Sequence, residues 1–430
     1  MEIRFIYIGF FFLLSAHAMA QQNHSISLDE SKKAALEYSR VIQNSELGIQ
    51  SAEAGKKGAA ANYLPSVSAT GIGLYNFKDF ISAMPPLLTE GVNNAYFAGV
   101  TATEVLYAGG KIRTANELAA MQIEVNKIRA KQSRDSVLLQ TENKYWTLNK
   151  LQEQHKTLTA NETYLNGILK QQEDLLASGL IARNDLLKVK VQRSKLLLEK
   201  SKLNNGRKVA ILDFCFFIGI PFDSLLVMRD GLDTARIPSI DAQAPDLDLS
   251  ANNDYQLLQK SLESEQLQTK MTRANYLPSV SLGFSAGRVG SISNSLGSTF
   301  MPIAFGVVNV PISDWWGTGK QKLRQRTISE KIAGNRFKDG EDQLKVGILK
   351  SWYDLEDAQK QIRFAKENYV QAAENLVVTR DNYSSGLSSI SDLLDAQAQL
   401  QQAESEQITA YGDFFNKMAS YRSITGKLLH

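Results

Sequence analysis

A string of seven residues occurs twice in this chain. Asn62-Tyr63-Leu64-Pro65-Ser66-Val67-Ser68 returns unchanged as Asn275-Tyr276-Leu277-Pro278-Ser279-Val280-Ser281. Two further landmarks repeat in the same order. Gly109-Gly110-Lys111 is echoed by Gly317-Thr318-Gly319-Lys320. Ser178-Gly179-Leu180, with Asp185-Leu186-Leu187 behind it, is echoed by Ser385-Gly386-Leu387 with Asp392-Leu393-Leu394. Ordered echoes at a spacing of roughly two hundred residues predict an internally duplicated chain, because a period so long does not suit a solenoid. The expected organisation is a first structural repeat over 21–205, a connecting segment over 206–252 and a second repeat over 253–430.

Residues 1–20 read as a secretory signal peptide: Arg4 at the positive end, an apolar run from Phe5 to Leu14, and Ala18-Met19-Ala20 before the expected cleavage. That run is too short to cross a bilayer as a helix. No cysteine follows the cleavage site, which argues against a lipid anchor there. The single cysteine, Cys215, lies among Phe214, Phe216 and Phe217, so no internal disulfide is expected and the thiol reads as core. With 48 basic and 45 acidic residues, a net charge of +3 and no dominant basic block, the sequence does not suggest nucleic acid as a partner. Beyond the signal no apolar run is long enough for a transmembrane helix. A membrane role therefore requires a β-barrel, the other fold that satisfies its backbone in lipid.

All nine prolines lie outside the windows 87–220 and 312–430. Both windows are free to be helical, since an interior proline costs about 3 kcal/mol. In the second, Ile348, Leu355, Ile362, Tyr369, Leu376 and Tyr383 recur at heptad spacing, and the small residues Ser351, Ala358, Ala365, Ala372 and Thr379 follow the first five. Large and small side chains on alternating seam positions predict a left-handed coiled coil with closely approaching helices. Leu151, Leu158 and Leu165 carry the same step in the first half, where a helix from about Lys111 to Ala177 is expected.

The segments after each proline repeat have period two. Val280, Leu282, Phe284 and Ala286 alternate with Ser281, Gly283, Ser285 and Gly287, and Ile303, Phe305 and Val307 carry the apolar alternation onward. Tyr96, Ala98, Val100 and Ala102 alternate likewise, with a partner strand starting at Ser66. Turn formers separate the strands at Met84-Pro85-Pro86 and Gly91 to Asn94, and again from Ser291 to Ser298. The expectation is one β-hairpin per half, over 66–107 and 279–312, with strands long enough to cross a bilayer when tilted. Alternation alone also suits a soluble sheet, and heptads alone suit a fibrous coiled coil or a bundle. The order favours a membrane assembly: helix, hairpin, very long helix, turn and returning helix, twice, behind a signal peptide. Four strands are too few to close a barrel, whereas three chains supply twelve.

These pieces together resemble the TolC-like outer-membrane efflux protein family. The resemblance rests on Tyr63-Leu64-Pro65-Ser66 and Tyr276-Leu277-Pro278-Ser279 entering strands, and on Leu106-Tyr107-Ala108-Gly109-Gly110-Lys111 leaving one. Val310-Pro311-Ile312 and Tyr383-Ser384-Ser385-Gly386 with Asp392-Leu393-Leu394-Asp395-Ala396 extend it. It implies a mixed α and β fold, with a long α-helical coiled-coil barrel in the periplasm and a membrane β-barrel of four strands per chain. It also implies a homotrimer in the outer membrane, docked to a periplasmic adaptor protein and an inner-membrane transporter. The implied function is the passive duct of a tripartite efflux system. The duct of a type I protein secretion system is the alternative, and a soluble periplasmic coiled-coil scaffold is a reading from a different class.

No catalytic constellation is present, and neither a cofactor nor a metal is expected. The histidines have no metal spacing, and Gly317-Thr318-Gly319 lacks the further glycine of a phosphate fingerprint, so it reads as a strand-to-helix turn. The tips carry the expected site. Gly179 and Gly386 turn the chain between long helices, with Leu180 and Leu387 next to them as the adaptor-docking surface. Asp185 and Asp392 stand where helices begin, a position that the macrodipole favours for acids whatever their function. Asp392 and Asp395 share a helix face, and on a threefold axis they would form acidic rings, some of whose carboxylates would titrate high. The resemblance implies a periplasmic gate at these positions, and links through Tyr383 and Asp185. The family's arginine two residues beyond the second glycine is Ser388 here, and Arg183 is its possible substitute.

Overall fold

The computed structural model describes residues 25–79, 81–82, 91–240, 245–291 and 297–427. The predicted signal peptide, the turn at Met84-Pro85-Pro86 and most of the turn from Ser291 to Ser298 lie outside these residues. In chain order the elements are β1 (Ser25–Ile26), α1 (Leu28–Tyr38), α2 (Arg40–Ala61), β2 (Ser66–Tyr75), β3 (Asn94–Ala108), α3 (Lys111–Ala177) and α4 (Arg183–Ile218). After these come β4 (Val227–Met228), α5 (Asn253–Ala274), β5 (Ser279–Gly290), β6 (Thr299–Asn309), a 3-10 turn (Ile312–Trp315), α6 (Thr318–Ser384) and α7 (Ile390–Ile424). Both α3 and α6 are 67 residues long. At 1.5 Å per residue each runs for roughly 100 Å.

The chain forms two compact units. One combines the stretch ending at Glu37 with Thr141–Ile237 and Gln361–Asp413; the other combines Tyr38–Gln140, Pro238–Lys360 and the stretch from Phe414. Each long helix contributes to both.

In the first unit parts of α3, α4, α6 and α7 bury a common apolar seam. Leu158, Leu165, Ile168, Val189, Leu196, Ile390, Leu393 and Leu394 form its core. The heptad positions Leu158 and Leu165 are buried, as is Ile362 of the second heptad. A polar anchor holds the start of the described chain against this unit. The Tyr145 hydroxyl donates to the Ile26 carbonyl at 3.2 Å and to the Asp230 carboxylate at 2.9 Å, and accepts from the Asp230 N–H at 3.0 Å. Burial pushes the phenol of Tyr145 well above its ordinary pKa. Cys215 is buried here beside Phe214, as its apolar neighbours predict. Helix α4 continues to Ile218, well into the segment 206–252, and ends at Gly219 in the left-handed region.

The second unit holds an antiparallel four-stranded sheet in the order β2-β3-β5-β6, together with α2, α5 and parts of α3, α6 and α7. Arg326 of α6 pairs with Glu265 of α5 at 2.7 Å, and Lys270 of α5 with Glu117 of α3 at 2.8 Å. The register settles the two faces, because neighbouring residues point to opposite sides. Phe284 stands opposite Ala102, and Ala286 opposite Val100. With Leu282, Ala98, Val67 and Ala69 they make the middle of one face apolar. Glu104, opposite Leu282, and Arg288, opposite Ala98, are the two charged residues of the four strands and stand on that same face toward its two ends. Ser285 stands opposite Thr101, and their hydroxyls meet at 3.1 Å on the other face. Ile303, Phe305 and Val307 of β6 pair with Ser285, Gly283 and Ser281. Their apolar alternation therefore belongs to the hydroxyl-bearing face, opposite that of Phe284. The Phe305 ring occupies the place where a Cβ on Gly283 would stand, so this glycine lets the ring lie across the strand. Every residue of β2 and β6 is exposed.

Gly317 lies in the turn between β6 and α6 and Gly319 is the second residue of α6, packed against the backbone of Ser313 and Asp314 respectively. That is the strand-to-helix turn the sequence predicts.

Candidate functional site

The tips of the first unit bring together most of the predicted site residues. Helix α3 ends in a Schellman turn: the Leu180 N–H bonds the Leu175 carbonyl at 2.9 Å and the Gly179 N–H bonds that of Leu176 at 3.0 Å. Helix α6 ends the same way, from Leu387 to Asn382 at 2.8 Å and from Gly386 to Tyr383 at 3.1 Å. Gly179 has φ 73° and Gly386 φ 76°. No atom stands within 4 Å of the place a Cβ would take at either. Backbone conformation, not space, selects glycine here. The turns leave Leu180 72% and Leu387 79% exposed. Two leucines so exposed on successive helical hairpins offer an apolar surface without a partner inside the chain.

Helix α7 begins with a capping box. The Asp392 carboxylate accepts from the Ser389 N–H and hydroxyl, both at 2.8 Å, while the Asp392 N–H donates to the Ser389 hydroxyl at 3.3 Å. The Ser389 hydroxyl is the largest influence on this carboxyl; the Ser389 N–H and the charge of Lys188 add to it, and together they hold its pKa below the ordinary aspartate value. The elevated titration expected for stacked rings is thus opposed, inside the chain, by the helix cap. Asp395 is exposed on the same face as Asp392, while Leu393, Leu394, Ala396 and Gln397 turn inward.

Asp185 accepts from Lys188 of its own helix at 3.3 Å. Arg183 is the exposed first residue of α4 and makes no ion pair among the described residues. Tyr383 is half-buried against the apolar seam, and its hydroxyl accepts from the Gln172 amide of α3 at 2.6 Å. Tyr383 and Asp185 are therefore not bonded to each other within one chain; each has its own partner. Gln172 is fully buried, and its Oε1 has no hydrogen-bond partner. Sequence reasoning passed over this residue, yet it stands at the next heptad step after Leu151, Leu158 and Leu165. A glutamine interrupting an apolar seam is the signal that could have found it. Asn161 and Gln397 form a second buried polar pair between α3 and α7, at 2.7 Å.

The chain belongs to the outer membrane efflux protein family, whose sequence pattern matches residues 33–211 and 244–427. Its location is the outer membrane, and the family is one of channels, not enzymes. The outer membrane protein TolC of Vibrio cholerae is 24% identical over 181 residues, a stretch covering 41% of this chain and 40% of that relative. The matched stretch thus spans well under half of the relative's length.

Among solved structures, the outer membrane protein VceC of Vibrio cholerae superposes with a TM-score of 0.77 at 16% identity, covering 93% of this chain and 96% of that one. The CmeC outer membrane channel of Campylobacter jejuni superposes with a TM-score of 0.78 at 14% identity, covering 95% and 86%. The open state of the MtrE outer membrane channel of Neisseria gonorrhoeae gives 0.75 at 17% identity, covering 93% and 89%. At such identities these likenesses establish the fold.

Proposed function

We propose that three copies of this chain form a passive export duct through the outer membrane, as part of a tripartite efflux system. The observation that carries this reading is the sheet with two open edges. Strands β2 and β6 each leave a row of backbone groups unpaired, which in lipid has no acceptable outcome except closure. Pairing β6 of one copy with β2 of the next closes twelve strands, and the apolar face around Phe284 then meets lipid. The two structural repeats, 21–205 and 253–430, occupy equivalent places around the axis, joined through 206–252. The long helices form the periplasmic tunnel.

The tips are the periplasmic gate in this reading. Asp392, Asp395 and Asp185 contribute charge there, Arg183 takes the part of the cation absent at Ser388, and Tyr383 acts as a latch. A periplasmic adaptor docks around Gly179, Leu180, Gly386 and Leu387, and couples the duct to an inner-membrane transporter. The mass of the detergent-solubilised protein tests the assembly: three chains, resistant to unfolding until heated, are expected. Recovery as a monomer with an unclosed sheet overturns the reading.

Replacing Gly179 or Gly386 with aspartate tests docking. A side chain at these left-handed positions costs about 1–2 kcal/mol in backbone strain alone. The turns should deform and export should be lost while the trimer persists, as read by dye accumulation in cells beside the amount of trimer in their membranes. Normal export by both variants would place the adaptor elsewhere.

A further inference from the structure

The helix ends that adjoin the sheet differ in charge from the rest of the chain. Of the eight residues of α2 nearest the sheet, Lys56 and Lys57 are charged; of the corresponding eight in α5, Lys270 and Arg273. The first eight residues of α3 carry Lys111 and Arg113, and those of α6 carry Lys320, Lys322 and Arg324. All four junctions together hold nine cations against a single acid, Glu117, in a chain whose totals are 48 and 45. The eight-residue ends at the helical tips hold five cations against six acids. The excess is local.

All nine side chains are exposed. Arg113 and Lys270 share Glu117, at 3.0 and 2.8 Å. The other seven make no ion pair among the described residues. A second feature occupies the same junctions. Tyr63, Trp315 and Trp316 lie between the cations and the strands, and Tyr107 is the last residue but one of β3, each of the four at least half exposed. The Trp315 indole N–H is tied to the Tyr276 carbonyl at 2.9 Å, which fixes one of these rings at the junction. Exposed tyrosine and tryptophan beside an apolar sheet face mark the level where hydrocarbon gives way to headgroups. The cations begin one step farther from the hydrocarbon, at the level of lipid phosphates.

We propose that these junctions form a basic belt that binds anionic phospholipid headgroups of the inner leaflet of the outer membrane, selecting them over zwitterionic ones. The proposal rests on the reading of the sheet as a membrane barrel. It goes beyond that reading, because an apolar band alone has no preference among headgroups. A lysine or arginine near an anionic surface changes the local association with such lipid roughly fivefold. Three copies present the belt on all sides of the barrel. The same phosphate chemistry could be met by free phosphate in solution, but the position beside the aromatic rings commits the belt to lipid.

Trp315 and Trp316 supply a local probe, since the other tryptophans, Trp146 and Trp352, are buried. The full-length protein is reconstituted in vesicles of phosphatidylethanolamine and phosphatidylglycerol, with bromine on the acyl chains of one lipid or the other, and tryptophan quenching is measured. Phosphatidylglycerol should associate severalfold more strongly than phosphatidylethanolamine, and the preference should shrink toward unity in 1 M salt, where the Debye length is about 3 Å. The variant combining Lys56→Gln, Lys57→Gln, Lys320→Gln, Lys322→Gln and Arg324→Gln should lose most of it. The variant that replaces the same four lysines with arginine should keep it. Equal quenching by both lipids in the wild type, or full preference in the neutralised variant, overturns the belt while leaving the barrel intact. No quenching by either lipid overturns the belt together with the placement of the sheet in the membrane.

Discussion

Lysine in place of Phe284 is expected to abolish most of the assembled trimer, whereas lysine in place of Ser285 is expected to be mild. The two residues are neighbours on β5 and differ only in the face they occupy. Phe284 is 52% exposed on the face that carries Leu282, Ala286, Val100 and Ala102. Ser285 touches the Thr101 hydroxyl on the other face. On the lipid side of a barrel a lysine near the midplane costs about 2–4 kcal/mol. Three copies enter each assembly, so the cost is met three times. On the lumen side the ammonium reaches water. The measurement is the amount of heat-resistant trimer in outer-membrane extracts, compared at equal expression. Similar yields from both variants would mean that the faces are not lipid and lumen, and would remove the main support for a barrel.

Phe284 and Ser285 could be assigned from sequence because period-two alternation carries face information along one strand. It carries none between strands. Ile303, Phe305 and Val307 look like a continuation of the same apolar set, but the β5–β6 register turns them to the hydroxyl side. The pairing offset depends on the turn between the strands, and the residues of that turn do not reveal it. The long helix α3 was legible to its ends, since proline is excluded from its window and glycines stand just outside both termini. The end of α4 was not. The connecting segment was expected to begin at 206, yet the helix passes through Gly206 to Ile218, because Ile211, Phe214 and Cys215 are buried in the first unit and hold it. Tertiary packing outweighed the roughly 1 kcal/mol cost of one glycine. The short parallel pairing of Ser25–Ile26 with Val227–Met228 was invisible for a related reason. Two residues carry no period, and their partner lies far away in the chain.

The places of the tip residues on their helices were legible in the sequence, and their hydrogen-bond partners were not. Tyr383 falls on the heptad and so had to face a neighbouring helix. That its partner is Gln172 follows only from the superposition of two seams distant in sequence. Asp392 was read as an acid at a helix start, but the serine three residues before it, which makes the capping box, was passed over.

That cap separates two functions that share one carboxylate. Asp392 stabilises the start of α7 through Ser389, and in the proposed trimer it also lines the narrow end of the tunnel. Asp395, one turn along the same face, is exposed and makes no side-chain hydrogen bond or ion pair among the described residues. Asp392→Ala is therefore expected to cost cap stability, typically about 1 kcal/mol, together with ring charge. Asp395→Ala should cost ring charge alone. Unit charges 4 Å apart in water interact by about 1 kcal/mol. Removing several carboxylates around one axis should therefore weaken block by divalent cations about tenfold or more and lower cation selectivity, most clearly at low salt. Planar-bilayer recordings of both single variants and the double variant read this directly. Asp392→Asn tests the cap further, since it keeps an acceptor for Ser389 without the charge: it should restore helix order at the tip yet leave selectivity as low as alanine does. If the double-alanine channel keeps the ion selectivity of the wild type, these acids face away from the pore, and the capping box is the whole of what Asp392 does.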